Sequence, residues 1–295
     1  MRPLLLRCGT VAVAVLAGMS VASQASAAQA GQPGQSGRRA AALPGYEIVT
    51  LPAATVKNHE LRLVSCPRGK VVIGGGAQTH DADGNGWLST SYPTTRPIPY
   101  DTEVTYHWGI SARHKYNSTV SLSGYAICAS KPAGYQQVQG YAERTDRFTE
   151  RSVQCPGGKV LMGGGGEALG DTSTLTRSYP EGTTWRSSGF STEDAPFSLR
   201  SYALCANPLP GHEIITTAGG YEPFPYNQTL ACPSGKAVLG GGARIMFGVP
   251  LNKTIPEPAD AAAGYRWSIT AYASIKPGST GPQYAKAAIV CASLA

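Results

Sequence analysis

Beyond its first thirty residues the chain has no apolar run approaching the ~20 residues that a membrane-spanning helix needs, and no segment with a sustained helical period. It has no dense block of lysine and arginine. The formal charge of +7 is spread along the chain, which argues against a nucleic-acid partner. Neither Gly-x-Ser-x-Gly nor His-Glu-x-x-His occurs, and His59, His80, His107, His114 and His212 have no nucleophile motif beside them. The acids Glu143, Glu150, Glu167, Glu193 and Asp194 group only loosely. A Ser-His-Asp triad is recognised by geometry and not by spacing, so that one class stays open.

What is present begins with a cationic start at Arg2 and Arg7, an apolar run from Val11 to Ala17, and Ala25-Ser26-Ala27. This is the pattern of a secretory signal peptide over residues 1–27. Residues 28–42, rich in Gln, Gly and Ala, cannot bury a core and read as a disordered leader. Loss of the signal removes Cys8, Arg2 and Arg7 and no acid, so seven cysteines become six and the formal charge falls from +7 to +5. Six cysteines in an exported chain predict three disulfides and a secreted, extracellular protein.

From Leu43 one pattern occurs three times. Each copy opens alike, with "LPGYEIV" at Leu43, "PAGYQQV" at Pro132 and "LPGHEII" at Leu209. The phrase Cys-Pro-x-Gly-Lys with a glycine run follows, at Cys66, Cys155 and Cys232. A tryptophan comes next (Trp108, Trp185, Trp267), and a second cysteine closes the copy (Cys128, Cys205, Cys291). "SYP" stands between the two in the first and second copies only, and lysine is the one polar residue kept in all three. The copies span 43–130, 131–207 and 208–295. Six cysteines allow fifteen pairings; pairing within each copy is the simplest and predicts Cys66–Cys128, Cys155–Cys205 and Cys232–Cys291.

The local pattern is β throughout. Tyr106, Trp108, Ile110 and Ala112 alternate along one strand, as Tyr265, Trp267, Ile269 and Ala271 do along another. The expected fold is all-β: three tandem small disulfide-stapled β-sandwich or barrel modules, with room for a pseudo-threefold arrangement. "CPRGKVVIGGGA" invites comparison with a phosphate loop, but such a loop places its glycines before Gly-Lys-Ser/Thr and opens a helix. Here Gly-Lys comes first and the glycines last, so the phrase reads as a Pro-Gly turn feeding a strand. Its glycines mark a bulge or a close approach of another strand, and its lysine reads as a solvated strand start.

The Cys-Pro-x-Gly-Lys…Gly-Gly-Gly phrase, the later tryptophan and the closing Tyr-Ala-x-Cys-Ala of the first two copies resemble a module common in secreted bacterial proteins, mostly of unassigned function. The resemblance covers almost all of Leu43 to Ala295. In that family single copies stand at the ends of collagen-like stretches, where trimers are expected. It implies that three tandem copies make a pseudo-trimer from one chain, and it brings no catalytic residues.

Two constellations stand out for function. "DADGNGWLS" places Asp81, Asp83 and Asn85 as in the first half of a calcium loop, without the closing acid, since Tyr92 stands in its place. The competing reading is a polar hairpin turn. No other cofactor is expected. Aromatics with polar neighbours suit carbohydrate or protein recognition, and Trp87, Tyr92, Tyr100, Tyr179 and Tyr226 are the candidate ligand contacts, with Trp87 foremost because the other copies lack it. The repeated Trp108, Trp185 and Trp267 read as core.

The expected function is a non-enzymatic binding protein that recognises an extracellular polysaccharide or secreted protein through loops on a repeated scaffold. The alternative is an inhibitor or modulator of an extracellular protease, acting through the rigid stretch "YPTTRPIPYD" with Arg96 before a proline. An extracellular hydrolase ranks third. The chain is expected to be a monomer with internal pseudo-symmetry, with no nucleic-acid partner and no membrane span.

Overall fold

In the computed structural model the described residues are 43–98, 103–145, 147–193, 195–246, 248–260, 264–272 and 283–294. The signal and leader assigned to 1–42, and Tyr100, lie outside them. Everything described is strand or turn, as short β-branched and aliphatic runs bounded by Pro and Gly require. The first copy supplies β1 (Glu47–Lys57), β2 (Arg62–Ser65), β3 (Lys70–Thr79), β4 (Gly86–Pro97), β5 (Val104–His114) and β6 (Thr119–Ser130). The second supplies β7 (Gln136–Thr145), β8 (Phe148–Gln154), β9 (Val160–Leu169), β10 (Ser173–Glu181), β11 (Thr184–Ser191) and β12 (Phe197–Ala206). The third supplies β13 (Glu213–Thr216), β14 (Gly220–Glu222), β15 (Tyr226–Ala231), β16 (Lys236–Ile245), β17 (Leu251–Asp260), β18 (Gly264–Ala271) and β19 (Gln283–Ser293).

No copy closes on itself. The first sheet runs β1-β6-β3-β17-β18-β15, the second β2-β5-β4-β9-β12-β7, and the third β13-β19-β16-β10-β11-β8, with β14 beside β19. Each sheet thus joins half of one copy to half of another, and each copy divides its strands between two sheets. The joins occur at corresponding places: Ala77 and Gln78 face Thr254 and Lys253, Gly166 and Glu167 face Ser91 and Thr90, and Ala243 and Arg244 face Ser178 and Arg177. The three disulfides form as expected, Cys66–Cys128, Cys155–Cys205 and Cys232–Cys291. Each cysteine before the Pro-x-Gly turn follows an edge strand of one sheet, and its partner lies in a strand of another. Each bridge therefore staples two sheets, and its loop of 62, 50 or 59 residues corresponds to roughly 4 kcal/mol of lost chain entropy.

The glycine run is the device that lets the three copies meet. A Cβ on the first glycine of each run would press on the backbone of the corresponding run in another copy: Gly74 on Leu239, Gly163 on Ile73, Gly240 on Gly163 and Met162. A Cβ on the second would run into the indole of its own copy's tryptophan, Gly75 on Trp108, Gly164 on Trp185 and Gly241 on Trp267. On the third it would strike the joining strand, Gly76 on the Thr254 carbonyl, Gly165 on that of Ser91 and Gly242 on that of Ser178. The close approach expected at these glycines is thus made threefold.

The tryptophans Trp108, Trp185 and Trp267 are buried. Each indole N–H donates to a hydroxyl at the join: Trp108 to Ser91 at 2.9 Å, Trp185 to Ser178 at 3.1 Å, Trp267 to Thr254 at 3.0 Å. The third copy therefore carries Thr254-Ile255-Pro256 where the others carry Ser-Tyr-Pro, and lysine is not the only polar feature kept. The lysines are also more than solvated strand starts. Lys70 Nζ lies 2.7 Å from both the Gly45 carbonyl and Glu47, Lys159 Nζ lies 2.7 Å from the Gly134 carbonyl and 2.8 Å from Gln136, and Lys236 Nζ lies 2.6 Å from Glu213. Each pins the opening turn of its own copy.

Candidate functional site

Two strands that pair over only two residues, as at each join, must splay apart beyond it. A cleft can open there on the outer face of the sheet. Because residues directly opposite in antiparallel strands share a face, the register defines a row across each sheet. In the first sheet the row is Gln78, Lys253, Thr270, Asn227. In the third it is Arg244, Arg177, Ser188, Glu150. In the second, Glu167, Thr90 and Ser111 are in register, and Leu61, one residue before β2, completes the row.

The first-sheet row opens into a cleft of about 320 Å³ with a largely polar lining, to which His80, Asp81, Asn252 and Tyr272 also contribute. Asn252 is its organiser. Buried in the third copy, its amide donates to the Gly84 carbonyl at 3.1 Å and also to that of Gly86, while its Oδ1 accepts the Tyr272 N–H at 2.9 Å. Thr270 donates to Asn227 Oδ1 at 2.8 Å, and His80 Nε2 lies 2.8 Å from Ser123 Oγ. One Asp81 carboxylate oxygen is buried without a protein partner. Tyr272 remains 36% exposed and packs against Gly84, giving the cleft a ring wall.

The half-matched calcium loop is seated in this region. Asp83 accepts the Asn85 N–H at 2.9 Å and lies 3.3 Å from His114 Nε2. That backbone bond is the main reason its carboxyl is held below the usual carboxylate range. These are the contacts of a polar hairpin turn. Among the described residues no three His, Cys, Asp or Glu side chains stand together to hold an ion.

Three of the expected aromatic contacts are buried instead. Trp87, only 3% exposed, donates to the Gly84 carbonyl at 3.2 Å, and Arg113 and Lys115 stand over its ring at 5.8 and 5.9 Å. Tyr179 and Tyr226 are buried to 5% exposure. Tyr179 sits where its strand joins the third copy beside Gly242, and burial raises its hydroxyl pKa. Tyr226 lies opposite Ala271 on β15, and burial pushes its hydroxyl up to about 12. Tyr92 is half-buried and stacks on Tyr202 at 5.0 Å. Burial, then the neighbouring Glu167 charge, pushes it up to about 12. The irregular-looking stretches that carry these aromatics are strands β4, β10 and β15, and β4 and β10 are buried on both faces over most of their length. Tyr272, which carries no motif in the sequence, is the ring at the cleft. Within "YPTTRPIPYD", Tyr92 to Pro97 pair with Gly109 to Val104 and Arg96 stands exposed near the outer end of that strand, while residues 99–101 lie outside the described residues.

In the second sheet a smaller cleft of about 170 Å³ carries Leu61, Thr90, Ser111, Glu167 and Leu169. In the third sheet the row is covered by its own side chain: Arg177 Nε donates to the Ile245 carbonyl at 2.8 Å, and its guanidinium meets Glu150 at 2.7 Å. No helix of the described residues is long and apolar enough to cross a membrane. Compared with known proteins, the chain matches no family model and no curated protein sequence.

Proposed function

We propose that the protein is a secreted, non-enzymatic binding protein for an extracellular polysaccharide, built as an internal pseudo-trimer, and that the first-sheet cleft between the first and third copies takes the sugar. The observation that carries this reading is the cleft itself. Amide, hydroxyl and charged groups of Asn227, Thr270, His80, Asp81 and Lys253 converge on a space of about 320 Å³ beside the partly exposed Tyr272 ring. Fixed polar groups set against an aromatic face suit a polyhydroxylated ring, whose C–H face packs on the aromatic and whose hydroxyls replace bound water. Three disulfides and the absence of a spanning helix among the described residues accord with an extracellular place.

The test is co-sedimentation of the mature protein with cell wall and insoluble polysaccharides at low and moderate salt. The expected result is retention that survives salt and falls at least tenfold in Tyr272→Ala and Asn227→Ala. Retention lost with salt, or unchanged in both variants, would refute it.

A further inference from the structure

The three rows stand in corresponding places, so one explains another. In the third sheet the position is filled from within: Arg177, 6% exposed, lays its guanidinium between the Ile245 carbonyl at 2.8 Å and the Glu150 carboxylate at 2.7 Å, over the Phe148 ring at 5.5 Å. A planar cation with a carbonyl, a carboxylate and an apolar support is a bound ligand in all but its covalent tether. In the second sheet the residue corresponding to Arg177 is Thr90, whose short side chain turns to Ser111 at 3.0 Å, and the space stands open at about 170 Å³. Ala168 follows Glu167 as Ile245 follows Arg244, so its carbonyl takes the place of the one that Arg177 uses.

We propose that this second-sheet cleft binds a guanidinium group on an apolar stem, occupying the place that Arg177 fills in the third sheet. Glu167, 7% exposed, supplies the carboxylate. It is held by Arg200 at 3.3 Å and by the Tyr202 hydroxyl at 3.1 Å. Two donors against roughly four acceptor sites of a carboxylate leave capacity for donors from the cleft. Leu61 and Leu169, 43% and 36% exposed, flank the opening and suit a methylene stem. His59, at the same cleft, has its pKa lowered by burial, so it adds no full charge against a cation at neutral pH. The site is separate from the first-sheet cleft, and neither proposal depends on the other.

The ligand has two sources, a small free guanidine compound or an arginine within a polypeptide. Agmatine and the tripeptide acetyl-Gly-Arg-Gly-amide serve as probes, titrated into the whole mature protein and followed by NMR, with cadaverine as the ammonium control. The expected result is saturable binding of agmatine at one site, with cadaverine much weaker; binding of the tripeptide as well assigns the site to polypeptide arginine, and its exclusion assigns it to free guanidines. Thr90→Arg, which rebuilds the internal plug, should abolish binding. Leu61→Glu, at an exposed position, places a carboxylate where Glu150 stands in the third sheet and should tighten agmatine about tenfold, and it carries the test if Thr90→Arg does not fold. Absence of agmatine binding, equal binding of cadaverine, or affinity unaltered by Leu61→Glu would overturn the proposal.

Discussion

The Tyr46 hydroxyl donates to the carbonyl oxygen of Val238 at 2.7 Å, tying the opening turn of the first copy to the third across 192 residues. Tyr135 does the same to Val72 at 2.8 Å, and His212 Nε2 lies 2.7 Å from the Leu161 carbonyl. Each copy therefore reaches into another, and the three bonds run round the molecule in one sense. Replacing Tyr46 by Phe removes this partly buried hydrogen bond to the Val238 carbonyl. It should lower unfolding stability by about 1–2 kcal/mol, read as a shift in the denaturant midpoint with unchanged slope.

The hydroxyls at the joins serve buried indoles. Ser178→Ala leaves the Trp185 N–H, held at 3.1 Å in the wild type, without its acceptor in a site where water does not reach. The expected cost is about 1–3 kcal/mol. Ser178→Thr should restore most of it, because Thr254 does the same work for Trp267 at 3.0 Å. A Thr variant as unstable as the Ala variant would mean that shape and not the hydrogen bond decides at this position.

Gly165 faces backbone. A Cβ there would meet the Ser91 carbonyl and lie 2.7 Å from Tyr92 Cα, and none of these atoms can swing away as a side-chain tip does. Gly165→Ala should cost roughly 3 kcal/mol. Gly157→Ala, in the second Pro-Gly turn, has no atom near the new Cβ and should change stability by less than about 0.5 kcal/mol. Thermal melts of the two variants give the comparison directly.

Two histidines make stability depend on pH. His59 is lowered chiefly by burial, against the Asp171 carbonyl that raises it, and His107 is lowered by burial and by Arg96. Both are more readily protonated in the unfolded chain, where a histidine titrates near pH 6.5. The unfolded state therefore binds more protons as pH falls below about 6.5. Their contribution is fully present above that value and is lost as pH drops toward the lowered folded values. Denaturant midpoints at pH 7.5 and 5.5 should differ in that sense, and His107→Gln should shrink the difference.

Much of the fold was legible in the sequence because it is local. Pro-x-Gly before lysine is a turn wherever it occurs, β-branched and aliphatic runs between glycines are strands, and one early and one late cysteine in each copy matched the three bridges. The glycine run was legible as a site of close approach. What approaches it was not, because those atoms come from residues such as Leu239 and Thr254, far from Gly74 and Gly76 in the chain.

The candidate site was hardly legible at all. Trp87 beside a polar turn looks exposed, yet it is buried, bonded to the Gly84 carbonyl with Arg113 and Lys115 over its ring. Lys253, Asn227 and Gln78 carry no motif, and only the pairing of β3 with β17 and of β15 with β18 sets them in one row.

The sequence by itself determined the β class, the three turns, the three bridges and the burial of the repeated tryptophans, since each depends on a residue's own conformational preference or on spacing within one copy. The tertiary structure alone decided that every copy divides between two sheets, and which row stays open. Those outcomes depend on which half-copies pair, and a change as small as Thr90 for Arg177 at corresponding places is the difference between an open cleft and one the chain fills for itself.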